Sequence, residues 1–550
     1  MISMKRFILF VACTSMVLAQ SVAQEKYSHI YENLSVYSDV FRQLELNYVD
    51  SIHYQQLTET AINAMLNQLD PYTNYIPKSE TDDIEFMTTG EYGGIGALTL
   101  VRNGRLQIAG VYEGKPAQRN GIMAGDYILS IDGETVNEEN VRESTDMLKG
   151  EPHEKITLMI ERGGEDKPIT KVFEREIIQI NPVPYYACIA PGVAFVKLND
   201  FTDKAALEVK SALAEMSAKE PLTSLIIDLR NNGGGLLHEA VKILSYFVPK
   251  GTEVVRTKGK NGEVMFVYKT TTAPLYPNLK IAVLTNNQSA SASEILAGTL
   301  QDLDAAVLIG KRTFGKGLVQ SIRSLCNGAY LKVTNAKYYI PSGRCIQAID
   351  YQHRGKNGEP VHVPDSLTAE FKTKHGRIVR DGGGISPDVI MNEKDIAAIT
   401  YYLLIQYKFL DYATQYKQQT PTVAPASEFE ISDADLAEFE KYLMEQKFTY
   451  ISETERLFDE MHKVADYEGI DSIAEAEFAA LKEKLKPNIP MLIEMNKEEI
   501  KQQLGEEIMK LYYYQRGEIE FINRYDNLLE HAKEIVSDDK VYRSLLKPKK

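Results

Sequence analysis

The stretch LIIDLRNNGGGLL, residues 225–237, decides the fold class of the middle of this chain. Its apolar start predicts a buried strand, its glycines predict a sharp turn, and the residues after them have a helical pattern. A second apolar run, IAVL at 281–284, is also followed by a helical stretch. Because strands that alternate with helices form largely parallel sheets, residues from about 186 to 400 predict an α/β unit.

The glycines of this stretch also permit a chemical interpretation. A glycine turn can point its backbone N–H groups at an anion. An ordinary tight turn between a strand and a helix explains the same residues, and for this stretch alone it is the better interpretation.

A serine-rich segment, NQSASASEI at 287–295, lies between a predicted strand and a predicted helix. Ser291 would stand at the positive end of the helix dipole, where a developing oxyanion is stabilised. The spacing of Ser291 and Glu294 is also that of a capping box, which needs no catalytic role. The segment alone leaves both interpretations open.

The segment TFGKGLVQ, residues 313–320, places Lys316 between two glycines just before an apolar strand. A lysine that is desolvated near a serine has a lowered pKa and can act as a general base. We expect Gln320, four residues on, to hydrogen-bond the amine and hold it. The alternative is a phosphate-binding loop, but that motif requires Ser or Thr where this chain has Gly317, and it requires a preceding strand-to-loop context that is absent.

Residues from about 84 to 180 consist of short β-rich runs separated by glycine turns. The loop Gly93-Gly94-Ile95-Gly96 leads into a strand, a short helix begins at Pro116, and GDYILSIDG follows at 125–133. This order resembles a PDZ domain. In such domains the glycine loop binds the terminal carboxylate of a peptide, and the peptide adds a strand to the sheet edge. A small β-domain without a ligand is the alternative.

The first residues have the pattern of a secretory signal. Lys5 and Arg6 precede an apolar stretch at 7–18, and the small residues SVA follow at 21–23. We therefore expect an exported protein, with the periplasm as the expected compartment. Cys13 permits the alternative of a membrane-anchored lipoprotein, and membrane association is expected only if Cys13 is lipidated.

Composition excludes several classes of function. The chain has 550 residues, too many for one domain, and a formal net charge of -15, which argues against nucleic acid as a partner. Three cysteines would remain after signal cleavage, too few for a disulfide framework. Their spacing fits no zinc site, and no ligand cluster suggests a metal or an organic cofactor.

Both ends of the chain have helical patterns. Residues from about 26 to 69 predict a small N-terminal helical unit, which ends at the turn sequence DPYT, 70–73. The last 150 residues or so are rich in Glu, Lys, Leu and Tyr and again predict helices. These helices pack either against the body of the protein or against another subunit, so a homo-oligomer is one option.

Taken together, LRNNGGG, SASASEI and TFGKGLVQ behind a PDZ-like unit resemble the carboxyl-terminal processing peptidases, also called tail-specific proteases. The resemblance covers roughly residues 40 to 390. It implies a protease core of the ClpP/crotonase-like α/β class with an inserted PDZ domain, a multidomain α/β and β architecture. The implied segments are a signal peptide at 1–23, an N-terminal helical region at 24–83, a PDZ domain at 84–180, a protease core at 181–398 and a C-terminal helical extension at 399–550.

The resemblance also implies roles for individual residues. Ser291 would be the nucleophile, Lys316 the base, and Gln320 the residue that positions the lysine. The oxyanion hole would be formed by the backbone N–H of Ala292 and that of Gly234 or Gly235, a choice that the sequence leaves open. Gly93, Gly94, Ile95 and Gly96 would bind the peptide carboxylate.

The function implied is that of a serine endopeptidase that cleaves proteins near unstructured carboxyl-terminal tails through an acyl-enzyme, without metal or cofactor. One alternative is a histidine-dependent triad, for which His238 is the nearest histidine in sequence to one of these segments. Another is a non-catalytic scaffold, but a scaffold has no reason to keep Ser291, Lys316 and Gln320 at this spacing.

Overall fold

The computed structural model describes residues 29–78, 86, 88–355, 359–392 and 395–548. The predicted signal peptide and Cys13 lie outside these residues. Within them, no helix combines the length and the apolar composition that a membrane span requires.

The N-terminal part consists of a helix over residues 29–47, the helix Tyr54–Leu66 and the short strand β1, Asn74–Ile76. Between the second helix and the strand, the carboxylate of Asp70 accepts hydrogen bonds from the N–H groups of Tyr72 and Thr73 at 2.8 and 2.9 Å. This Asx-type turn ends the helical region. It directs β1 into a sheet of the protease core, where β1 pairs with a strand more than 250 residues later.

The PDZ unit is an antiparallel sheet with buried isoleucines such as Ile108, Ile128 and Ile156 at its core. Its edge strand β3 has a neighbour in the sheet on one side only, as strand addition requires. The two flanking strands β2 and β9 pair with each other and connect the unit to the core. The strands are β2 (Glu91–Gly94), β3 (Ala97–Arg102), β4 (Arg105–Val111), β5 (Tyr127–Ile131), β6 (Glu134–Thr135), β7 (Lys155–Glu161), β8 (Ile169–Glu174) and β9 (Glu176–Gln179), and the helices are Pro116–Arg119 and Val141–Asp146.

The central sheet of the core has the order β10-β11-β12-β15-β16-β23 and is parallel except for the β10–β11 pair. The apolar runs that predicted a parallel sheet lie in β12 and β15, and the residues of both runs are buried. The α/β prediction is therefore confirmed. The strands are β10 (Tyr185–Ala190), β11 (Val193–Lys197), β12 (Ser224–Asp228), β15 (Lys280–Thr285), β16 (Ala306–Gly310) and β23 (Val389–Ile390), and the helices that cover one face are Ala205–Lys219, Leu237–Leu244 and Ala292–Asp302.

A second sheet of the core contains β1 and the strand that follows Lys316. Two small hairpins and a 3-10 turn, Asp365–Leu367, complete the core. The sheet strands are β13 (Glu253–Lys258), β14 (Val264–Lys269), β17 (Leu318–Ser324) and β18 (Tyr330–Tyr339), and the hairpin strands are β19 (Ile349–Arg354), β20 (Pro360–His362), β21 (Glu370–Lys372) and β22 (Ile378–Arg380).

The C-terminal extension is helical, as the sequence predicts, and it packs against the body of the protein. Most of its helices surround a core of their own, while the last two cover the second face of the central sheet, with Leu529 and Ile535 against Ile226 and Leu284. The helices are Ala398–Ile405, Lys408–Gln419, Asp433–Glu445, Glu453–Tyr467, Asp471–Leu485, Ile489–Met495, Lys497–Asn523, Asn527–Ser537 and Asp539–Leu545.

Candidate active site

Ser291 lies beyond the carboxyl end of β15, at the residue that caps the helix Ala292–Asp302. Its backbone angles, φ 55° and ψ -114°, are ones that residues other than glycine seldom adopt, at a cost of about 1–3 kcal/mol. Such strain persists only where the surrounding structure imposes it. The chain therefore turns sharply from strand to helix at this serine.

The buried carboxylate of Glu294 joins the serine segment to the lysine segment. Its Oε2 accepts hydrogen bonds from the backbone N–H groups of Ser291 (2.9 Å) and Lys316 (2.8 Å). Its Oε1 accepts from the N–H of Gly315 (2.7 Å) and the hydroxyl of Thr313 (2.5 Å). The capping interaction with Ser291 is thus present, but the same side chain also binds the loop that carries Lys316.

Two effects oppose each other at the carboxyl group of Glu294. Burial raises its pKa to about 7, although the donors from Thr313, Lys316, Gly315 and Ser291 favour the ionised form. The group therefore changes its charge near neutral pH.

Tyr338 forms a second connection between the two segments. Its buried hydroxyl lies 2.6 Å from the carbonyl oxygen of Lys316, to which it donates, and 3.2 Å from that of Ser291. Two side chains therefore hold the backbones of Ser291 and Lys316 side by side, although 25 positions separate these residues in the sequence.

The side chain of Lys316 lies in a partly buried environment that the N-terminal turn helps to form. Its Nζ is 4.3 Å from the centre of the Tyr72 ring. Burial lowers the pKa of Lys316, and the nearby ammonium of Lys332 lowers it further, whereas Glu294 and Asp70 act in the opposite direction. The net effect favours the neutral amine that a general base must be.

Gln320, the predicted positioning residue, donates through Nε2 to the hydroxyl of Thr334 at 3.1 Å. The hydroxyl of Thr334 is in turn 3.2 Å from Asp70 Oδ1, and Asp70 is one of the charges that act on Lys316. Gln320 thus reaches the surroundings of Lys316 through Thr334 and Asp70. A register shift in the β17–β18 pair occurs between Val319 and Gln320.

The glycine turn of LRNNGGG approaches the serine closely. A Cβ on Gly234 would lie 2.7 Å from Ser291 Cβ and 2.9 Å from Ala292 N, and the φ of Gly234 is +105°. The N–H of Gly234 donates to Asn232 Oδ1 at 2.8 Å. Gly235 also has a positive φ, +137°, and no hydrogen bond of its N–H appears among the described residues. Ala292 is the first helical residue, so the helix provides no acceptor for its N–H.

A buried ion-pair network lies directly before this turn. Arg230 donates to Asp228 through Nε (3.0 Å) and Nη2 (2.7 Å), and it also contacts Asp526 of the C-terminal extension. Burial alone would raise the pKa of Asp228, but the charges of Arg230 and Lys197 outweigh it and hold that pKa well below its usual range. The extension therefore contacts the segment that supplies the glycine turn.

In the PDZ unit, the loop Gly93–Gly96 lies against residues 148–150. Gly94 forms an antiparallel bridge with Lys149, and the N–H of Gly150 donates to the carbonyl of Gly93 at 3.1 Å. A Cβ on Gly93 would lie 2.0 Å from the carbonyl oxygen of Gly150, so only glycine fits there. On its other side the loop contacts Lys115, whose Cβ would lie 2.5 Å from a Cβ on Gly96.

Two other observations concern a histidine-dependent triad and a metal site. The side chain of His238 is 54% exposed, and its Nε2 is 3.6 Å from the carboxylate of its neighbour Glu239. Among the residues that the structure describes, no group of three or more His, Cys, Asp or Glu side chains is arranged to hold a metal ion.

Four residues of this region were not predicted from the sequence: Glu294 as a connector, and Tyr72, Tyr338 and Asp526. The only signal for Tyr72 was its place in the turn DPYT, which was interpreted as the end of a helix. The capping-box spacing was the only signal for Glu294. The contacts of all four residues join segments that are distant in the sequence.

Comparison with known proteins assigns the chain to a class. Family models match it in three places: Peptidase family S41 at residues 192–353, a PDZ domain at 107–162, and the C-terminal helical domain of a probable PDZ-protease at 399–536. The fold and these matches define a serine peptidase with a PDZ domain.

The relatives identify the family. The chain is 35% identical over 344 residues to the carboxy-terminal-processing protease of Bartonella bacilliformis, over 62% of this chain and 79% of that protein. It is 34% identical over 318 residues to a probable CtpA-like serine protease of Staphylococcus aureus, over 57% of this chain and 62% of that one. The chain belongs to the carboxy-terminal-processing protease family.

Among solved structures, the photosystem II D1 C-terminal processing protease matches with 26% identity and a TM-score of 0.36. The match covers 64% of this chain and 86% of that one. At this TM-score it adds nothing to the assignment.

Proposed function

We propose that this peptidase cleaves protein substrates near their carboxyl-terminal tails, with Ser291 as the nucleophile and Lys316 as the general base. The observation that supports the dyad most directly is the carboxylate of Glu294, which binds the backbone N–H groups of both residues. The burial that lowers the pKa of Lys316 supports its role as the base.

In the proposed mechanism, neutral Lys316 accepts the proton of the Ser291 hydroxyl while the serine oxygen attacks the scissile carbonyl carbon. The tetrahedral intermediate then collapses, its C–N bond breaks, and the ammonium of Lys316 gives its proton to the departing amine. The resulting acyl-enzyme is hydrolysed by a water molecule whose proton Lys316 accepts. Gln320 positions this lysine through Thr334 and Asp70.

We further propose that the N–H groups of Gly235 and Ala292 bind the oxyanion. The sequence did not decide whether Gly234 or Gly235 donates to the oxyanion. We choose Gly235, because the N–H of Gly234 already donates to Asn232 Oδ1. Donors that are fixed before the reaction stabilise the developing charge without reorganisation. The hydrogen bond from Gly234 to Asn232 holds the turn in the shape that this role needs.

The PDZ unit is proposed to receive the unstructured tail of the substrate as an added strand on β3, with the loop Gly93–Gly96 near the terminal carboxylate. The open edge of β3 supports strand addition. Such a tail is extended, and an extended chain can reach a site on another unit of the same protein.

Export to the periplasm after removal of residues 1–23 is also a proposal, with lipidation at Cys13 as its alternative. The residue at the amino terminus of the mature protein distinguishes the two. Mass spectrometry of the mature protein is expected to find Gln24 first, whereas an acylated Cys13 would show that the chain is a lipoprotein.

The dyad is tested with Ser291→Ala and Lys316→Ala, incubated with an unstructured protein substrate. Lys337→Ala is the matched control, because Lys337 is an exposed lysine on β18, next to the strand that follows Lys316. We expect both dyad variants to lose at least about 1,000-fold in kcat, as removal of a nucleophile or its base does. Cleavage by either variant at the rate of the parent would refute the dyad.

The pH dependence tests the role of the lysine separately. Because only the neutral amine accepts a proton, kcat/KM should rise with pH through a midpoint below the ordinary pKa of lysine. A profile that is flat from about pH 6 to 10 would exclude Lys316 as the base.

A further inference from the structure

A cavity of about 820 Å³ lies between the PDZ unit and the C-terminal extension. We call it the tail cavity. The PDZ unit contributes Leu98, Tyr112 and Lys115 to its wall, and the extension contributes Lys417 and Arg516 among others. Its volume is within the range of roughly 300–1,000 Å³ that ligand-binding pockets have.

The charges of the tail cavity differ from those of the whole protein. Its wall contains four cationic side chains and two carboxylates, although the chain has a formal net charge of -15. The cations are Lys115, Lys417, Lys510 and Arg516, and the carboxylates are Glu113 and Glu518. A local excess of positive charge in an acidic protein favours an anionic ligand.

Three of these cations have no salt bridge with any carboxylate among the described residues: Lys115, Lys417 and Arg516. The Nζ of Lys417 donates to the backbone carbonyl of Leu511, and burial lowers the pKa of this lysine, which disfavours its ammonium form. The positive charge available to a ligand therefore comes mainly from Lys115 and Arg516. Arg516 lies over the ring of Tyr185, 5.6 Å from its centre. An anion in the cavity would give Lys115 a charge partner and would add one for Arg516, whose charge already acts on Glu215.

The tail cavity adjoins the predicted carboxylate loop. Lys115 contacts Gly96 of that loop, and Leu98 belongs to the edge strand β3. A tail that adds to β3 as an antiparallel strand ends near Gly96, beside Lys115. The opposite side of the loop is already paired with residues 148–150 of the protein itself.

A second cavity, of about 510 Å³, lies next to the tail cavity. It is lined by Arg230 and Asn231, which precede the glycine turn, and the side chains of Gln515 and Glu518 line both cavities. Two residues separate Asn231 from Gly234, which lies close to Ser291. The second cavity therefore borders both the tail cavity and the segment that supplies the glycine turn.

We propose that the tail cavity binds the carboxyl-terminal end of the substrate tail, with its free carboxylate between Lys115 and Arg516. The cations of this cavity, together with the glycine loop, then bind the negative charge of the terminal carboxylate. The inference rests on the proposed function, because it deepens the account of how a tail is recognised. It assigns the C-terminal extension a direct part in substrate binding.

The test compares two peptides of about 15 residues, each roughly 50 Å long when extended. They are identical in sequence, one with a free terminal carboxylate and one with a terminal amide. Binding of each is measured by fluorescence anisotropy to the Ser291→Ala chain, with and without Lys115→Gln and Arg516→Gln. Lys210→Gln is the control, because Lys210 is an exposed lysine on the helix Ala205–Lys219.

We expect the Ser291→Ala chain and the Lys210→Gln control to bind the free acid at least about tenfold more tightly than the amide. Each cavity substitution should reduce this ratio to within about twofold of one, by weakening the binding of the acid. In the active enzyme the same substitutions should raise KM for the acid and leave kcat within about twofold.

Two results would overturn the inference. One is an affinity ratio of acid to amide that stays near ten in both cavity variants. This result would show that the glycine loop alone binds the carboxylate. The other is the absence of any preference for the free acid in the Ser291→Ala chain. Because binding is measured without catalysis, these results are distinct from failure of the dyad, which appears as cleavage of the peptide by the Ser291→Ala chain.

If Arg516→Gln disturbs the packing on Tyr185, the result for Lys115→Gln alone decides the test. Lys115 is only partly buried and belongs to a different unit from Arg516. A thermal melt within about 3 °C of that of the Ser291→Ala chain verifies that each variant is folded.

Discussion

At the scale of single residues, Glu294 holds together the two segments on which the proposed chemistry depends. One carboxylate accepts four hydrogen bonds, from Ser291, Thr313, Gly315 and Lys316. Because these donors are three backbone amides and one hydroxyl, a side chain that lacks two acceptor oxygens cannot satisfy them all. Glu294 is therefore a positioning residue, whose effect on the reaction passes through Ser291 and Lys316.

Glu294→Gln should lower kcat about 100-fold, because a small misplacement of reacting groups costs that much, and should leave KM nearly unchanged. The pKa of about 7 adds a second readout. The parent should lose activity as the pH falls through about 7, since the carboxyl group then gains a proton and can no longer accept all four bonds. The variant should lack this step and keep only the one due to Lys316, and a step at the same pH in both would contradict the assignment.

Gly234 is the second residue whose identity the site requires. Gly234→Ala places a methyl group 2.7 Å from Ser291 Cβ at a φ of +105°, so both contact and backbone strain oppose it. We expect kcat to fall at least about 100-fold, as it does when an oxyanion hole is disturbed.

Gly233→Ala is the matched control for this prediction. A Cβ on Gly233 would meet no atom within 4 Å, and the φ of Gly233 is not positive. Its activity should stay within about threefold of the parent. Equal losses in the two variants would show that general loosening of the turn, and not contact with Ser291, limits activity.

At the scale of structural elements, the N-terminal turn belongs to the catalytic region. Asp70 shapes the turn, Tyr72 lies beside Lys316, and β1 joins the sheet that contains β17. Because burial is the main cause of the lowered pKa of Lys316, an element that excludes water from the lysine also tunes it.

Tyr72→Ala should admit water to Lys316 and raise its pKa toward the ordinary value. The pH profile of kcat/KM should then shift to higher pH. Tyr72→Phe, which keeps the ring, should leave the profile close to that of the parent. If the profile of the alanine variant coincides with that of the parent, the ring does not control the lysine.

The helix Asn527–Ser537 is the second element that reaches the site. Asp526 caps this helix by accepting from the N–H groups of Leu528 and Leu529, at 2.9 and 3.0 Å, and it also contacts Arg230. Asp526→Asn keeps a good capping residue and removes the charge.

We expect Asp526→Asn to lower the free energy of unfolding by about 2 kcal/mol, as loss of a hydrogen bond to a charged group does. It should also lower kcat, because Arg230 precedes the glycine turn. Chemical denaturation and steady-state kinetics measure the two effects. A normal kcat together with reduced stability would limit Asp526 to a structural role.

These elements also show what could be predicted from the sequence. The parallel sheet followed from apolar runs, because that signal is local. The glycine, serine and lysine segments were also visible locally, but each had an ordinary structural alternative, and their roles were predicted only from the resemblance to a known family. The roles of Tyr72 and Asp526 could not be predicted, because they arise from contacts across more than 200 positions. Glu294 is intermediate: its capping interaction is local, but its contact with the lysine loop is tertiary.

At the scale of the whole molecule, the C-terminal extension completes the core. The central sheet has helices of the core on one face and the last two helices of the chain on the other. The hydroxyl of Tyr542 also donates to the carbonyl of Ile281 at the start of β15. Without the extension, the second face of the central sheet would therefore lose the helices that cover it.

A chain that ends at residue 396 should expose the apolar side chains of Phe195, Ile226 and Leu284 and aggregate. Sedimentation and dye binding measure this outcome. The control deletes only the helical hairpin 453–485, in which Phe458 packs against Phe478, and joins its ends with a short glycine-serine link. The control should stay soluble, and a soluble, active chain ending at 396 would contradict the role of the extension.

The contact between Asp526 and Arg230 also has a consequence for the order in which the protein folds during synthesis. A ribosome makes the glycine turn, the serine and the lysine long before it makes Asp526 and the helices that cover the sheet. A nascent chain therefore contains the proposed catalytic segments while Arg230 still lacks Asp526 as a partner. We therefore expect the contact between Asp526 and Arg230 to form only after the helices that cover the sheet have been synthesised.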